Sequence, residues 1–155
     1  MTKIAKVFST IFFIGFVKWI PGTVGSAVAI LALLPIIVTY SIFLNIILFI
    51  LILLLSLIFV QIYSKSIKRD DAKEIIIDEF LGIYLIMLFY HYFDSLNDII
   101  KILLIFFLFR FFDILKPFPA NWIDKKFKNS FGIVLDDLIA SFFTIFTLLI
   151  INAFI

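Results

Sequence analysis

The chain has 155 residues, of which 65% are hydrophobic and 15% charged, and its formal net charge is +2 at pH 7. A soluble domain is about 45–50% apolar, so this composition predicts an integral membrane protein and argues against a water-soluble domain or a nucleic-acid partner. The absence of cysteine excludes disulfides, thiolate zinc sites and a cysteine nucleophile.

The apolar stretches, taken in chain order, predict an all-α membrane protein. Residues 4–20 contain Lys18 and end at a Pro-Gly pair, so we expect an interfacial or re-entrant helix there, without a cleavable signal peptide. We then predict a single membrane-embedded domain over residues 1–155, a bundle of about five transmembrane helices. The five stretches approach the roughly 20 apolar residues that a membrane span needs, and they are 24–39, 42–63, 76–93, 99–115 and 132–154.

The basic residues predict the orientation of this bundle. If the N-terminus faces the cytoplasm, twelve of the thirteen Lys and Arg residues fall on the cytoplasmic side, and Lys101 alone falls outside. Cytoplasmic loops of membrane proteins carry such an excess of positive charge. We therefore expect a multi-pass protein of the bacterial cytoplasmic (inner) membrane, in which the polar helix ends meet at one depth on the cytoplasmic side.

Two pairs of adjacent acidic residues open predicted helices. Asp78 and Glu79 open the third, and Asp136 and Asp137 open the fifth. Charged residues at helix ends often only mark the membrane boundary, but these side chains are short and adjacent carboxylates repel each other. A hard divalent cation such as Mg²⁺ removes both problems, because it takes oxygen ligands. Within each pair, one member can then bind the metal while the other supports it or acts as a base.

Candidate phosphate-binding residues fall at the same depth. In "RFFDILKP", Arg110 and Asp113 share a helix face that Lys116 continues, which predicts either an intrahelical ion pair or an Arg held by Asp and aimed at a phosphate. In "PGTVGS", we expect Thr23 as the N-cap. This helix start either has no further role or, with Thr23 and Ser26, faces an anion.

A metal, a phosphate clamp and a lipid environment at one depth indicate chemistry on a phosphorylated lipid headgroup. His91, the only histidine, falls toward the outer end of the third predicted helix, so we expect a structural role for it. A phosphatase with a histidine nucleophile is therefore disfavoured. The "DGxxAR" signature of lipid phosphotransferases is missing from the sequence.

Four motifs, in order, resemble those of the phosphatidylglycerophosphatase A family of small bacterial membrane phosphatases. They are "IPGTVGS" at 20–26, "DAKEIIIDEFLG" at 71–82, "RFFDILKPFP" at 110–119 and "GIVLDDLIA" at 132–140. The resemblance covers most of the chain. Ser141 stands where the family usually has Gly, so we expect looser helix packing at that position.

The resemblance implies Mg²⁺-dependent hydrolysis of phosphatidylglycerophosphate to phosphatidylglycerol and phosphate, a step of phospholipid biosynthesis, at the cytoplasmic leaflet. It implies that Asp113 orients Arg110 or adds a ligand, and that Asp71 helps at the rim. Attack by water and attack by an aspartate both stay open. The site residues are the catalytic Asp78, Glu79, Asp113, Asp136 and Asp137, the phosphate-binding Arg110, Lys116, Thr23 and Ser26, and, for one or two Mg²⁺, the ligands Asp78, Glu79, Asp136 and Asp137.

Other functions fit parts of the pattern. Another lipid phosphate, such as phosphatidic acid or a polyprenyl phosphate, is an open alternative as substrate. A small cation channel or transporter subunit would spread its acids through the membrane depth, whereas these acids form one layer. A structural subunit that binds anionic lipid through its basic loops leaves both acidic pairs unexplained. The sequence makes no prediction about the oligomeric state.

Overall fold

The structure is a computed structural model that describes residues 1–69 and 72–155. Over these residues the chain forms seven α-helices, with 3₁₀ turns at Ile14–Phe16 and Tyr90–Tyr92, and no strand. The predicted all-α class is therefore confirmed. The helices are α1 (Thr2–Ser9), α2 (Pro21–Thr39), α3 (Ile42–Ile67), α4 (Ile77–Met87), α5 (Asp98–Leu115), α6 (Ala120–Lys126) and α7 (Ser130–Phe154).

Three of the described helices, α2, α3 and α7, are long and apolar enough to cross a membrane. The outward face of α3 shows the consequence, because Ile50, Leu54 and Ile58 recur every fourth residue and are each about half exposed. A soluble monomer rarely exposes a contiguous apolar face of this kind. The fold therefore indicates a protein that associates with a membrane.

The predicted count of about five spans is not confirmed, and α4 shows why. This helix has eleven residues, or about 16 Å at 1.5 Å per residue, whereas the hydrocarbon core is about 30 Å thick. It packs against α2, α3, α5 and α7, and Leu81, Ile83 and Ile86 are fully buried. An apolar run covered by protein resembles one covered by lipid, so the sequence alone could not separate the two.

The other predicted span that falls short is α5. Its 18 residues would extend about 27 Å, close to the length of a span. It carries four charged residues, however, and is therefore less apolar than α2, α3 and α7.

The N-terminal stretch 4–20 does not form the single predicted helix. Helix α1 ends at Ser9, and the next turn holds Ile11, Phe12 and Phe13 at positive φ angles of 44°, 52° and 70°. Helix α1 packs against α3, and the Ser9 carbonyl accepts a hydrogen bond of 3.0 Å from the backbone N–H of Ile76. The N-terminal segment is thus tied to the residue that precedes α4.

The order of the helices gives the bundle two distinct ends. Helices α2, α4 and α7 begin at the end that contains the cavity described below, and α5 finishes there. We call it the cavity end. The loop between α4 and α5 lies at the opposite end, where the backbone N–H of Ser95 donates to Asn152 Oδ1 at 3.0 Å. Tyr84, Phe93 and Phe109 fill the core between the two ends and are almost fully buried.

Candidate active site

A polar cavity of about 400 Å³ opens at the cavity end of the bundle. Of the described residues, six acidic and three basic side chains line it, and together they carry a formal charge of about −3 when these groups are ionised. The lining comes from the starts of α2, α4 and α7, the end of α5, α6, and the segments that precede α2 and α4. The charged residues are Lys73, Asp78, Glu79, Arg110, Asp113, Lys116, Asp124, Asp136 and Asp137.

The close crossing of α4 and α7 brings two of these acids together. At the crossing, Ser141 Oγ lies 2.8 Å from the carbonyl oxygen of Gly82. A Cβ atom on Gly82 would lie 2.6 Å from the Phe109 ring and 3.0 Å from Ser141 Oγ, so only glycine fits there. Asp78 and Asp137 lie four residues before Gly82 and Ser141, one helical turn away on the same faces. The packing of these two small residues thus sets the separation of the two carboxylates.

The expectation of loose packing at Ser141 is wrong. Its side chain is completely buried, and its hydroxyl lies 2.8 Å from the carbonyl of Asp137 in its own helix as well as from that of Gly82. A serine is small enough to keep the close crossing, and its hydroxyl finds backbone acceptors on both helices. The substitution therefore preserves the contact between α4 and α7.

Three carboxylates form the centre of the site. Asp78, Glu79 and Asp137 each offer an oxygen atom, and these atoms lie within 4.8 Å of one another. Asp78 Oδ1, Glu79 Oε2 and Asp137 Oδ2 are buried and have no hydrogen-bond partner among the described residues. Buried polar atoms are nearly always paired, and a buried carboxylate without a partner is costly.

This arrangement fits a hard divalent cation. Mg²⁺ binds through one or two carboxylates together with water and substrate phosphate. The unpaired oxygens supply such ligands, and the surplus of acids in the cavity supplies the compensating charge. Asp78, Glu79 and Asp137 are therefore the residues that could hold Mg²⁺.

Asp136, the fourth predicted metal ligand, has a different partner. Its Oδ2 accepts a short hydrogen bond from Lys116 Nζ, and it lies outside the three-carboxylate group. The structure thus brings together three of the four predicted ligands and pairs the fourth with a lysine. The sequence could not foresee this, because Lys116 and Asp136 lie on different helices.

Arg110 lies beside the carboxylate group. Its Nη1 donates to Asp113 Oδ2 at 2.5 Å and lies 3.7 Å from Glu79 Oε1. Its Nε is buried and has no hydrogen-bond partner among the described residues. Asp113 therefore holds one part of the guanidinium while another donor is left for an oxygen ligand. The intrahelical ion pair and the aimed guanidinium, which were alternatives in the sequence, are compatible in the structure.

The start of α2 lies close to Glu79 and Arg110 at Gly22. A Cβ atom on Gly22 would overlap Glu79 Oε1 and would lie 3.0 Å from Arg110 Nη1. A larger residue at position 22 would therefore displace the ends of the Glu79 and Arg110 side chains. This glycine belongs to the "PGTVGS" motif, in which only Thr23 and Ser26 were predicted to be site residues.

Lys116 reaches the cavity from a left-handed turn. It caps α5 with φ 44° and ψ 62°, and its Nζ contacts Asp136 and lies 3.2 Å from Asp124 Oδ1. Burial lowers the pKa of Lys116, but the hydrogen bond and charge of Asp136, with those of Asp124, outweigh burial and raise the pKa above its usual value. The ammonium group therefore stays protonated at neutral pH.

Asp124 is a cavity residue that sequence analysis missed. It lies on α6, beside Lys116 and 3.9 Å from Lys128 Nζ. In the sequence it stands in the basic run "DKKFK", where the lysines dominate the pattern. Its spacing of eight residues from Lys116, across a turn and a new helix, gives no periodic signal.

Two phosphate-binding candidates have different surroundings. Thr23 lines the cavity, but it is not the N-cap, because α2 begins at Pro21 and its cap residue is Ile20. Ser26 is buried, and its Oγ donates to the carbonyl of Gly22 at 2.9 Å. Ser26 is not part of the cavity lining.

Two other residues were singled out in the sequence. Asp71 lies outside the described residues. His91 lies at the opposite end of the bundle, where its Nε2 is 3.5 Å from the Ile37 carbonyl.

Comparison with known proteins points to one family. A family model described as Phosphatidylglycerophosphatase A matches residues 7–152. A protein of that name from Haemophilus influenzae is 39% identical over 77 residues, which are 48% of this chain and 44% of the relative. Another from Escherichia coli is 30% identical over 77 residues, 50% of this chain and 42% of the relative. The chain thus spans less than half the length of these relatives in the match. No solved structure matches.

Proposed function

The chain belongs to the phosphatidylglycerophosphatase A family, and from this premise we propose that it hydrolyses phosphatidylglycerophosphate to phosphatidylglycerol and phosphate with Mg²⁺ as cofactor. The observation that carries the proposal is the group of buried, unpaired carboxylate oxygens on Asp78, Glu79 and Asp137. A cluster with a purely structural role has no need of surplus carboxylates. A phosphatase that binds a metal and a charged phosphate does need it.

The acidic side chains of the cavity bind the metal, and the basic side chains bind the phosphate. Asp78, Glu79 and Asp137 hold Mg²⁺, which supplies Lewis-acid polarisation of the phosphate when bound. Arg110 binds phosphate oxygens with the donors that Asp113 leaves free, and Lys116 adds a second cation. These fixed donors stabilise the negative charge that develops on the oxygens during P–O cleavage. The start of α2, with Thr23, borders the same space.

The reaction breaks the bond between the terminal phosphorus and the oxygen of the headgroup glycerol. A new bond forms between that phosphorus and the oxygen of water. In one route, water attacks phosphorus, a cavity carboxylate accepts its proton and passes it to the glycerol oxygen, and that oxygen leaves as a hydroxyl. In the other, an aspartate attacks phosphorus, the glycerol oxygen takes a proton from a cavity carboxylic acid and leaves as a hydroxyl, and water then cleaves the phosphoaspartate. A pre-steady-state burst of phosphatidylglycerol ahead of phosphate distinguishes the second route from the first.

The proposal puts the protein in the inner membrane with the cavity facing the cytoplasm. The distribution of Lys and Arg along the chain supports this orientation. The lipid headgroup then enters a cavity at the membrane surface while the acyl chains stay in the bilayer.

Phosphate release from the purified protein in detergent tests the proposal. We expect release from phosphatidylglycerophosphate with Mg²⁺ and none with excess chelator. Asp78→Asn and Asp137→Asn should each lose at least about 100-fold in rate, since even residues that only orient metal ligands are worth 10- to 100-fold. His91→Ala, at the opposite end, is the control and should stay active. Chelator-resistant release, or full activity in both Asn variants, would overturn the metal site.

A further inference from the structure

A second, smaller cavity of about 210 Å³ adjoins the first. Trp19, Pro21 and Lys73 line both cavities, so the two meet at these residues. The 3₁₀ turn at Ile14–Phe16 and residues 17–18 form the remaining N-terminal wall, and Glu74 closes the other side. The second cavity is thus an extension of the candidate active site toward the N-terminal segment.

Backbone contacts hold the walls of this second cavity in place. Gly15 packs so closely on the chain before α4 that a Cβ atom would overlap the carbonyl oxygen of Glu74. The backbone N–H of Gly15 donates to the Thr10 carbonyl at 3.0 Å, and that of Ile76 donates to the Ser9 carbonyl at 3.0 Å. The cavity is therefore built by the fold rather than left between loose loops.

The charge of the second cavity is opposite to that of the first. Among the described residues that line it, Lys18 and Lys73 are basic and Glu74 is acidic. Glu74 Oε1 also accepts a hydrogen bond of 3.2 Å from the Tyr63 hydroxyl. Two lysines thus face a space with one acid, beside a cavity in which acids outnumber bases two to one. An anion, but not a metal ion, suits the smaller space.

The substrate of the proposed function supplies such an anion, and the inference rests on that function. Phosphatidylglycerophosphate has a terminal phosphomonoester and an internal phosphodiester, joined by one glycerol unit. We propose that the second cavity binds the internal phosphodiester through Lys73 and Lys18, and that Lys73 thereby selects lipids with two phosphates over lipids with one. The terminal phosphate then lies with Arg110 and Lys116.

The position of Lys73 favours this role over general attraction to anionic lipids. Lys125 is exposed on α6 without lining either cavity, and Lys126 lies over the Trp122 ring at 4.4 Å. Lys73 is exposed as well, but it differs from Lys125 in lining both cavities. A cation at their junction can reach a group one glycerol unit from the reacting phosphate, whereas a lysine elsewhere on the surface attracts any anionic headgroup.

Substrate discrimination tests the inference. The rates with phosphatidylglycerophosphate and with phosphatidic acid, which has one phosphate, are compared in neutral detergent micelles. Lys73→Gln should lower kcat/KM for the first lipid about tenfold, the size of a lost charged contact, and should lower that for phosphatidic acid much less, because phosphatidic acid has no internal phosphodiester. Lys125→Gln removes the same charge and should change neither. Equal losses with both lipids, or no loss with either, would overturn the inference.

A binding measurement makes the test independent of catalysis. Phosphatidylglycerol has the phosphodiester without the terminal phosphate, and Trp19 lies at the junction of the cavities. In a Trp122→Phe background, Trp19 is the only tryptophan and its fluorescence reports binding. Lys73→Gln should weaken phosphatidylglycerol binding about tenfold, and unchanged binding would contradict the inference. A wild-type protein that binds phosphatidylglycerol but releases no phosphate from phosphatidylglycerophosphate would instead contradict the proposed function.

Discussion

The two ends of the bundle each hold a cluster of charged side chains, but only one cluster has equal numbers of acids and bases. At the opposite end, Lys101 Nζ pairs with Asp98 Oδ1 at 3.3 Å and lies 4.2 Å from the Tyr90 ring centre. The Tyr90 hydroxyl donates to the same carboxylate oxygen at 2.9 Å, and the Asp98 side chain is 75% exposed. One acid meets one base, and water reaches the acid.

The cavity end has no such balance. Acids outnumber bases, and carboxylate oxygens of three residues are buried without partners in the described part of the chain. The comparison separates two uses of charge in an apolar protein. A matched pair at a helix end compensates its own charge, whereas a buried surplus of carboxylates is costly unless bound protons or a cationic ligand offset it.

Removal of one cation from each end gives the largest expected difference. Arg110→Gln should lower phosphatase activity by about 100- to 1,000-fold, because fixed donors to a developing oxyanion are worth that much. Lys101→Met should leave activity within about twofold and lower the melting temperature by about 2–4 °C, as expected for a loss near 1 kcal/mol. Steady-state kinetics and thermal unfolding in detergent measure both. Equal activity losses would erase the distinction between the two ends.

A change that pushes α4 and α7 apart should cause the second-largest loss of activity. Gly82→Ala places a methyl group against Phe109 and Ser141, and overpacking of this kind costs about 1–3 kcal/mol. Because Asp78 and Asp137 lie one turn away, activity should fall about tenfold or more along with stability. Ser141→Ala adds no volume, so it is the control and should keep most of the activity. An unaltered Gly82→Ala enzyme would show that the crossing does not set the carboxylate geometry.

The partly exposed rim of the cavity should give the smallest effect. Asp124→Asn leaves Lys116 paired with Asp136, so activity should fall only about twofold to fivefold, the range of a partly exposed ion pair. Lys125→Gln, a neighbouring surface change on the same helix, should have no effect. A loss as large as that of Arg110→Gln would assign Asp124 to the catalytic centre instead of the rim.

Much of the candidate site could be predicted from helix periodicity in the sequence. Arg110 and Asp113 are three residues apart, and they form the ion pair that this spacing allows. The acidic pairs open α4 and lie in the first turns of α7, so chain order alone predicts that they share one end of the bundle. These features are local, and local patterns are what a sequence displays.

Features that depend on contacts between helices could not be predicted. The pairing of Asp136 with Lys116 and the role of Asp124 arise only when α5, α6 and α7 pack. The burial of α4 inside the bundle likewise could not be predicted, since its apolar residues could equally well face lipid. Ser26 shows the reverse case, because a polar residue in a promising motif bonds its own helix backbone.

Magnesium binding, measured by thermal unfolding of the purified protein, tests the central claim most directly. With Mg²⁺ at about 100 times its Kd, the wild-type protein and Asp98→Asn should gain about 2.7 kcal/mol, or roughly 5–10 °C. The double variant Asp78→Asn, Asp137→Asn should show no such rise, and without Mg²⁺ it should be at least as stable as wild type, because it lacks the buried repulsion. A Mg²⁺-induced rise in the double variant equal to that of wild type would contradict the claim that these carboxylates hold the cation.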